Sequence, residues 1–226
     1  MGTKALELLY KQRDNFRGLV QLAELAPTKE AKLQLPLIRA QLEDVERTIQ
    51  CIEEGKPLLA SWYANAPEIY TAMDLHWYCV GTAPILGMDK QILEEVDALG
   101  IPGDVCTLNR MMLAALELGT MPIPTAMVVM ATPCDALPII QEALNQHKDW
   151  RNVPSFALDQ PYWEDERSID YHAGEYKRMV SFLEEHTGKK LDIDRLREVI
   201  EESNKQYEVW MEYLSLIHIS EPTRQA

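Results

Sequence analysis

The most constraining stretch of this sequence is Ala126–Ala131, AMVVMA, six apolar residues without interruption. A strand with one face in water alternates apolar and polar residues, whereas a uniformly apolar run suits a strand covered on both faces, the habit of parallel sheets. The flanking patterns agree. Ile92, Leu93, Val96 and Leu99 mark a helical face ended by Gly100, and Leu108, Met111, Met112, Ala115 and Leu116 mark another ended by Gly119. A helix is expected from Asp135 to His147 and a strand near Ser155–Leu158. Upstream, Leu58–Tyr63 reads as a strand, Pro67–Asp74 as a two-turn helix, and Leu75–Val80 as a strand rich in aromatic and β-branched residues. Alternating strands and helices predict the α/β class with right-handed crossovers.

Both ends of the chain read as helix. Ile38, Leu42, Val45, Ile49 and Ile52 recur at steps of four and three until Gly55 and Pro57 stop the pattern. An earlier helical pattern through Leu6, Leu9, Phe16 and Val20 is broken by Pro27. Ile169, His172, Ala173, Tyr176, Met179, Val180 and Leu183 share a face up to Gly188, and Ile193, Leu196, Val199, Ile200, Tyr207, Trp210 and Leu214 share the next. The expected fold is thus a parallel-sheet layered domain preceded and followed by amphipathic helices. Its parts are a helical hairpin at 1–56, the α/β domain at 57–162, and a helical segment at 163–214 leading to a second α/β domain. Residues 215–226, SLIHISEPTRQA, are expected not to continue the helix, since Ile217 and Ile219 alternate with polar residues and Pro222 forbids continuation. The run resembles a translated sequencing-library adaptor and is expected to be foreign to the protein, which would end the natural part near Leu214.

Charge narrows the functional classes. Against 36 Asp and Glu the 226 residues set only 22 Lys and Arg, a formal charge of −14. Basic clusters that would grip nucleic acid are missing from this pattern, and the balance suits solubility in a cytoplasm. With 46% hydrophobic and 26% charged residues the chain can bury a real core. It has no apolar run of about 18 residues to span a membrane and no visible secretory signal. Its four cysteines, Cys51, Cys79, Cys106 and Cys134, contain no CxxC pair and are expected to stay reduced.

Two segments carry the informative chemistry, Gly103-Asp104-Val105-Cys106-Thr107-Leu108-Asn109-Arg110 and Ala131-Thr132-Pro133-Cys134-Asp135. Each cysteine precedes a predicted helix, and Cys134 also follows the buried strand. In an open α/β sheet the carboxyl ends of the strands form the ligand crevice. Unpaired N–H groups at a helix N-terminus favour thiolates and bound anions, an environment suited to an iron–sulfur cluster. Taken alone, two such cysteines are more simply two small core residues. Glu68, in the Ala66-Pro67-Glu68-Ile69 turn, could carry a proton at the crevice or merely complement a helix dipole. His172 and Glu175 lie one helical turn apart, a metal-binding spacing, but read more simply as a solvated or helix-stabilising pair. Asp104 and Asp135 read as helix caps. Trp62, Tyr63, Tyr70, Trp77 and Tyr78 read as core, and Cys79 and Cys51 as buried thiols.

Four segments, SWYANAPEIYTAMDL, GDVCTLNRMMLAALELG, PTAMVVMATPCD and LDIDRLREVIEESNK, resemble in order and spacing the amino-terminal half of a subunit of the 2-hydroxyacyl-CoA dehydratase and benzoyl-CoA reductase family. The resemblance implies a two-subunit enzyme in which each subunit holds a [4Fe–4S] cluster through three cysteines. Cys106 matches the first ligand and Cys134 the second, with the third expected beyond Leu214, and Glu68 matches an acidic position. Acid–base catalysis is poorly placed to dehydrate a 2-hydroxyacyl-CoA, because the thioester does not acidify the β-proton. The family's implied route delivers one electron to the thioester carbonyl; the ketyl radical anion expels hydroxide, the β-proton becomes acidic, and the electron returns at the end. A homologous second subunit, an ATP-dependent iron–sulfur activator protein and an acyl-CoA substrate are the implied partners. This chain lacks a P-loop pattern, in keeping with ATP being handled by the activator. The expected function is therefore that of the iron–sulfur subunit of a radical-type dehydratase, inactive as this chain alone. Aromatic ring reduction and a non-catalytic α/β scaffold are the alternatives.

Overall fold

The computed structural model describes residues 3–26, 28–62, 65–80, 90–100, 103–132 and 134–220. In chain order its elements are α1 (Thr3–Leu25), α2 (Lys29–Glu54), β1 (Leu58–Ser61), α3 (Pro67–Ala72), β2 (His76–Cys79) and α4 (Lys90–Ala98). They continue with α5 (Thr107–Glu117), β3 (Ala126–Met130), α6 (Ala136–Gln146), β4 (Ser155–Leu158), α7 (Glu166–Thr187) and α8 (Ile193–Ser220). The four strands form one parallel sheet in the order β2-β1-β3-β4. The α/β reading of the sequence holds.

The apolar run Ala126–Met130 is the centre of this sheet, and every residue of it is buried. Its alternate side chains feed two separate cores. Met127 and Val129, with Leu58 and Ala60 of β1, pack beneath α2, α5 and α6 through Cys51, Met112, Ala115, Leu137, Ile140 and Leu144. Ala126 and Val128, with Leu59, pack beneath α3, α7 and the start of α8 through Tyr70, Met73, Met179, Leu183 and Leu196. The architecture is thus helix, sheet, helix. Helices α1 and α2 pack on each other, Leu9 of α1 meeting Val45 and Ile49 of α2. Thr28 caps α2 at its start, and Gly55, at φ +64°, ends it with its N–H on the Cys51 carbonyl. The break assigned to Pro27 lies outside the described residues, as do Tyr63 and the last six positions.

The sequence reading and the structure part at three places. Helix α8 runs on to Ser220, because residues 215–220 contain no proline or glycine to stop it; Pro222 acts only beyond that point. The apolar stripe of α8 is largely uncovered, with Ile193, Ile200, Tyr207 and Trp210 exposed and Val199 buried. In α7, Ile169 is exposed, while Tyr176, Met179, Val180 and Leu183 of the expected face pack on the core, and Glu175, outside that expected face, is buried too. Among the described residues no helix is long and apolar enough to cross a membrane.

Candidate functional site

In this strand order the chain leaves β1 toward β2 on one side and β3 toward β4 on the other, so the connections after β1 and β3 diverge onto opposite faces. Helix α3, following β1, belongs to the Tyr70 core, and α6, following β3, belongs to the Met127 core. A crevice opens where such connections part, at the carboxyl ends of the two central strands.

One wall is the β1–α3 turn. Ser61 and Asn65 are fully buried there. The Asn65 amide donates to Ser61 Oγ (3.2 Å) and to the Val128 carbonyl of β3 (3.3 Å), and Ser61 Oγ also meets the Tyr70 hydroxyl at 3.0 Å. Ala66 then takes a left-handed conformation, φ +48°, strained for a residue with a Cβ and held by the bonds on either side of it. Pro67 opens α3 at its first turn, and Glu68 follows. Glu68 is half-buried and accepts a bond from Ser203 Oγ of α8 at 2.6 Å. It also stands near Tyr176, whose hydroxyl is pushed above its ordinary pKa by burial first and by the Glu68 charge second.

The other wall carries the cysteines. Cys106 is the N-cap of α5 and exposed; Cys134 is half-buried just before α6, where its carbonyl accepts from Leu137 N. The two helices pack against each other, and each cysteine stands at the N-terminal end of its own helix. The backbone N–H groups there are unpaired in the helix and favour an anion. Asn109 and Arg110, three and four residues past Cys106 and so beside it on α5, add two buried atoms without partners, Asn109 Nδ2 and Arg110 Nε, while Arg110 Nη2 pairs with Asp97 at 3.4 Å. Asp135 occupies the N-cap of α6 but makes no capping bond, and Asp104 lies exposed in the preceding turn.

Cys51, at the far end of α2, is buried at the amino side of the sheet, and burial pushes its thiol pKa up. Cys79 corrects the sequence reading. It is the last residue of β2, in register with Ser61, and only half-buried, because β2 is an edge strand that closes one side of a cavity of about 50 Å³ under α1 and α2.

Orphaned donors beside Cys106 fit the sulfur atoms of an iron–sulfur group, but two thiols do not complete its ligand set. Among the described residues no three His, Cys, Asp or Glu side chains converge on one point. The His172–Glu175 pair accordingly has no third ligand, and Glu175 is not solvated as its spacing suggested; it is 3% exposed. Its place in line with Met179 and Leu183 was the available signal.

A larger groove, about 1110 Å³, lies at the opposite, amino side of the sheet, between α2, α3 and the start of α8. It is lined by Arg47, Lys56, Lys189, Lys190 and Arg195, each of them paired with a carboxylate. Such a surface offers an anion no spare charge. His76 on its wall meets Thr48 Oγ1 at 2.8 Å, and burial, helped by Arg47, lowers its pKa to about 4. Neutral in the fold and protonated near pH 6.5 when unfolded, His76 contributes stability that is present above pH 6.5 and lost as the pH falls toward 4. The His76 ring resonances should accordingly titrate with a midpoint near 4; a midpoint above 6 would show that the ring is solvated.

A family model for the D-component of 2-hydroxyglutaryl-CoA dehydratase matches residues 62–225. The chain belongs to the 2-hydroxyglutaryl-CoA dehydratase D-component family. The match passes through Glu68, Cys106 and Cys134 and runs beyond Leu214, and it bears out the resemblance carried by the four sequence segments. The chain is also similar to the (R)-phenyllactyl-CoA dehydratase alpha subunit of Clostridium sporogenes, with 25% identity over 134 residues, covering 55% of this chain and 32% of that relative. The likeness therefore takes in about a third of that protein's length.

Proposed function

We propose that this chain forms part of a subunit of a 2-hydroxyacyl-CoA dehydratase, which eliminates water to give a 2-enoyl-CoA after one-electron activation, with the acyl group lying over the carboxyl ends of β1 and β3. The supporting observation is that the dehydratase family match spans both walls of this crevice. In this reading Cys106 and Cys134 supply two thiolates to a [4Fe–4S] cluster, and the remaining protein ligand comes from outside these 226 residues. The cluster, when bound, supplies one-electron chemistry.

The chain's own groups do the rest. The N-termini of α5 and α6, with the Asn109 amide, stabilise negative charge on the cysteine wall. Glu68, fixed by Ser203, takes the β-proton once activation has made it acidic. Asn65 ties the turn carrying Glu68 to β3 and so sets the width of the crevice. The partners are a homologous second subunit and an ATP-dependent activator, and the setting is the cytoplasm of an anaerobe.

The test is anaerobic turnover by the whole enzyme, assembled with its second subunit, its activator, ATP and a reductant. Conversion of 2-hydroxyglutaryl-CoA or (R)-phenyllactyl-CoA to the corresponding enoyl-CoA is the expected result. Ring reduction of benzoyl-CoA with neither hydroxy thioester consumed would overturn it.

A further inference from the structure

The cavity of about 50 Å³ beneath α1 and α2 carries chemistry that the crevice does not use. Its apolar walls are Leu8 and Leu9 of α1, Val45 of α2 and Pro122. Gln12, one turn after Leu8 and Leu9, adds an amide, and Asp44, beside Val45, adds a carboxylate. Three hydroxyl-bearing residues also line it, and each has given its hydrogen to a backbone carbonyl: Thr48 to Asp44, Tyr78 to Pro122 and Thr120 to Ala115. An occupant therefore meets mainly oxygen acceptors and the negative charge of Asp44.

Gln12 and Asp44 are uncommitted. Gln12 is only 7% exposed, and among the described residues its amide meets no hydrogen-bond partner, an arrangement that costs free energy unless something in the cavity supplies one. Unlike the sealed amide of Asn109, it keeps contact with open space. The Asp44 carboxylate likewise makes no hydrogen bond or ion pair among the described residues, since its neighbour Arg47 is engaged with Glu43. Desolvation pushes the carboxyl up to about 6, with Arg47 pulling it down and Glu43 adding to the rise. Near neutral pH it is ionised, a charge without a cation in contact. Asp44 is exposed and lines the amino-side groove as well. The carboxylate thus stands at a mouth open to solvent, and the buried amide on the inner wall.

We propose that this cavity binds a small alkylammonium ion, whose NH3+ head donates to the Asp44 carboxylate and to Gln12 Oε1 while its short chain lies on Leu8, Leu9, Val45 and Pro122. The size agrees, since about 50 Å³ holds roughly four water-sized atoms. The lining selects the class: a carboxylate and an amide oxygen call for a cationic donor, and four apolar residues call for carbon beside it. Water alone would leave hydrogen bonds unmade along those walls. An occupant joins α1 to α2 through one head group. The inference does not depend on the dehydratase reading.

The experiment titrates the isotope-labelled full chain with n-propylammonium near neutral pH and constant ionic strength, following the Gln12 side-chain amide and the backbone amides of Leu9 and Val45 by nuclear magnetic resonance. A saturable shift of these signals together is the expected result, with 1-propanol and the bare ammonium ion each held at least about tenfold more weakly. Asp44→Asn should weaken n-propylammonium at least about tenfold, the loss expected of a charged hydrogen-bond partner, and Gln12→Met should weaken it as well. Asp44 is exposed and unpaired, so its variant should fold as the wild type does; should Gln12→Met not fold, Asp44→Asn decides. Absence of saturation overturns the site and leaves a hydrated cavity. Equal affinity for 1-propanol overturns the cationic head, and equal affinity for the ammonium ion overturns the alkyl wall. Affinity retained in Asp44→Asn places the binding elsewhere and overturns the proposal.

Discussion

Serine in place of Cys106 or Cys134 should lower turnover by the assembled dehydratase more than about a hundredfold, since losing even an outer-shell partner of a metal ligand commonly costs 10–100-fold. A serine hydroxyl does not ionise near neutral pH and is a poor ligand for iron, so the loss should show in iron and acid-labile sulfide per subunit as well as in rate. Cys51→Ser serves as the comparison, because Cys51 is buried at the other end of the sheet, and it should leave iron content unchanged. The 226-residue chain by itself, reconstituted anaerobically with iron and sulfide, should hold no stoichiometric cluster, having two thiols at the crevice wall. Full iron loading and turnover in both serine variants would remove these cysteines from the site.

Val128→Asp should abolish cooperative folding. Val128 is fully buried in the middle of β3, its side chain among Leu59, Leu158 and Met179 and its carbonyl holding Asn65. A carboxylate there finds no cation, and an unpaired buried charge costs several kcal/mol or drives the group to protonate, still at a cost. Domains are stable by only about 5–15 kcal/mol, and the swap also removes apolar contacts on both sides of the strand. The expected observation is loss of the near-ultraviolet circular dichroism signal and of a sigmoidal thermal transition. A melting temperature within a few degrees of the wild type would mean that β3 is not the covered centre of the sheet.

What the sequence disclosed follows from how strongly each feature is dictated locally. Ala126–Met130 read as a covered strand because an apolar run this short, bounded by turn signals, suits a strand buried on both faces, and the helix stops at Gly55, Gly100, Gly119 and Gly188 were visible because each takes a positive φ. The positions of Cys106 and Cys134 just before helices could be read because those helix starts are dictated locally. Asn65 was not legible as a bridge, since its partner Val128 is 63 positions away. Glu175 was missed for a different reason: a spacing rule for metal ligands paired it with His172, whereas its meaning comes from the apolar residues one and two turns later. Cys79 was misjudged because a strand rich in aromatic residues gives no sign of whether it lies at the centre or the edge of a sheet.

The pairing of β1 with β3 has a kinetic consequence. These central neighbours, Leu59 with Ala126 and Ala60 with Met127, are separated by α3, β2, α4, α5 and more than sixty residues of chain. Closing so long a loop costs entropy before any contact rewards it. The α1–α2 hairpin needs only a short connection and can collapse early; the sheet must wait for its most distant partners. During that wait AMVVMA is a bare apolar strand with two open edges, the kind of segment that pairs with copies of itself. Slow assembly of the centre makes dilution and low temperature the natural conditions for refolding this protein.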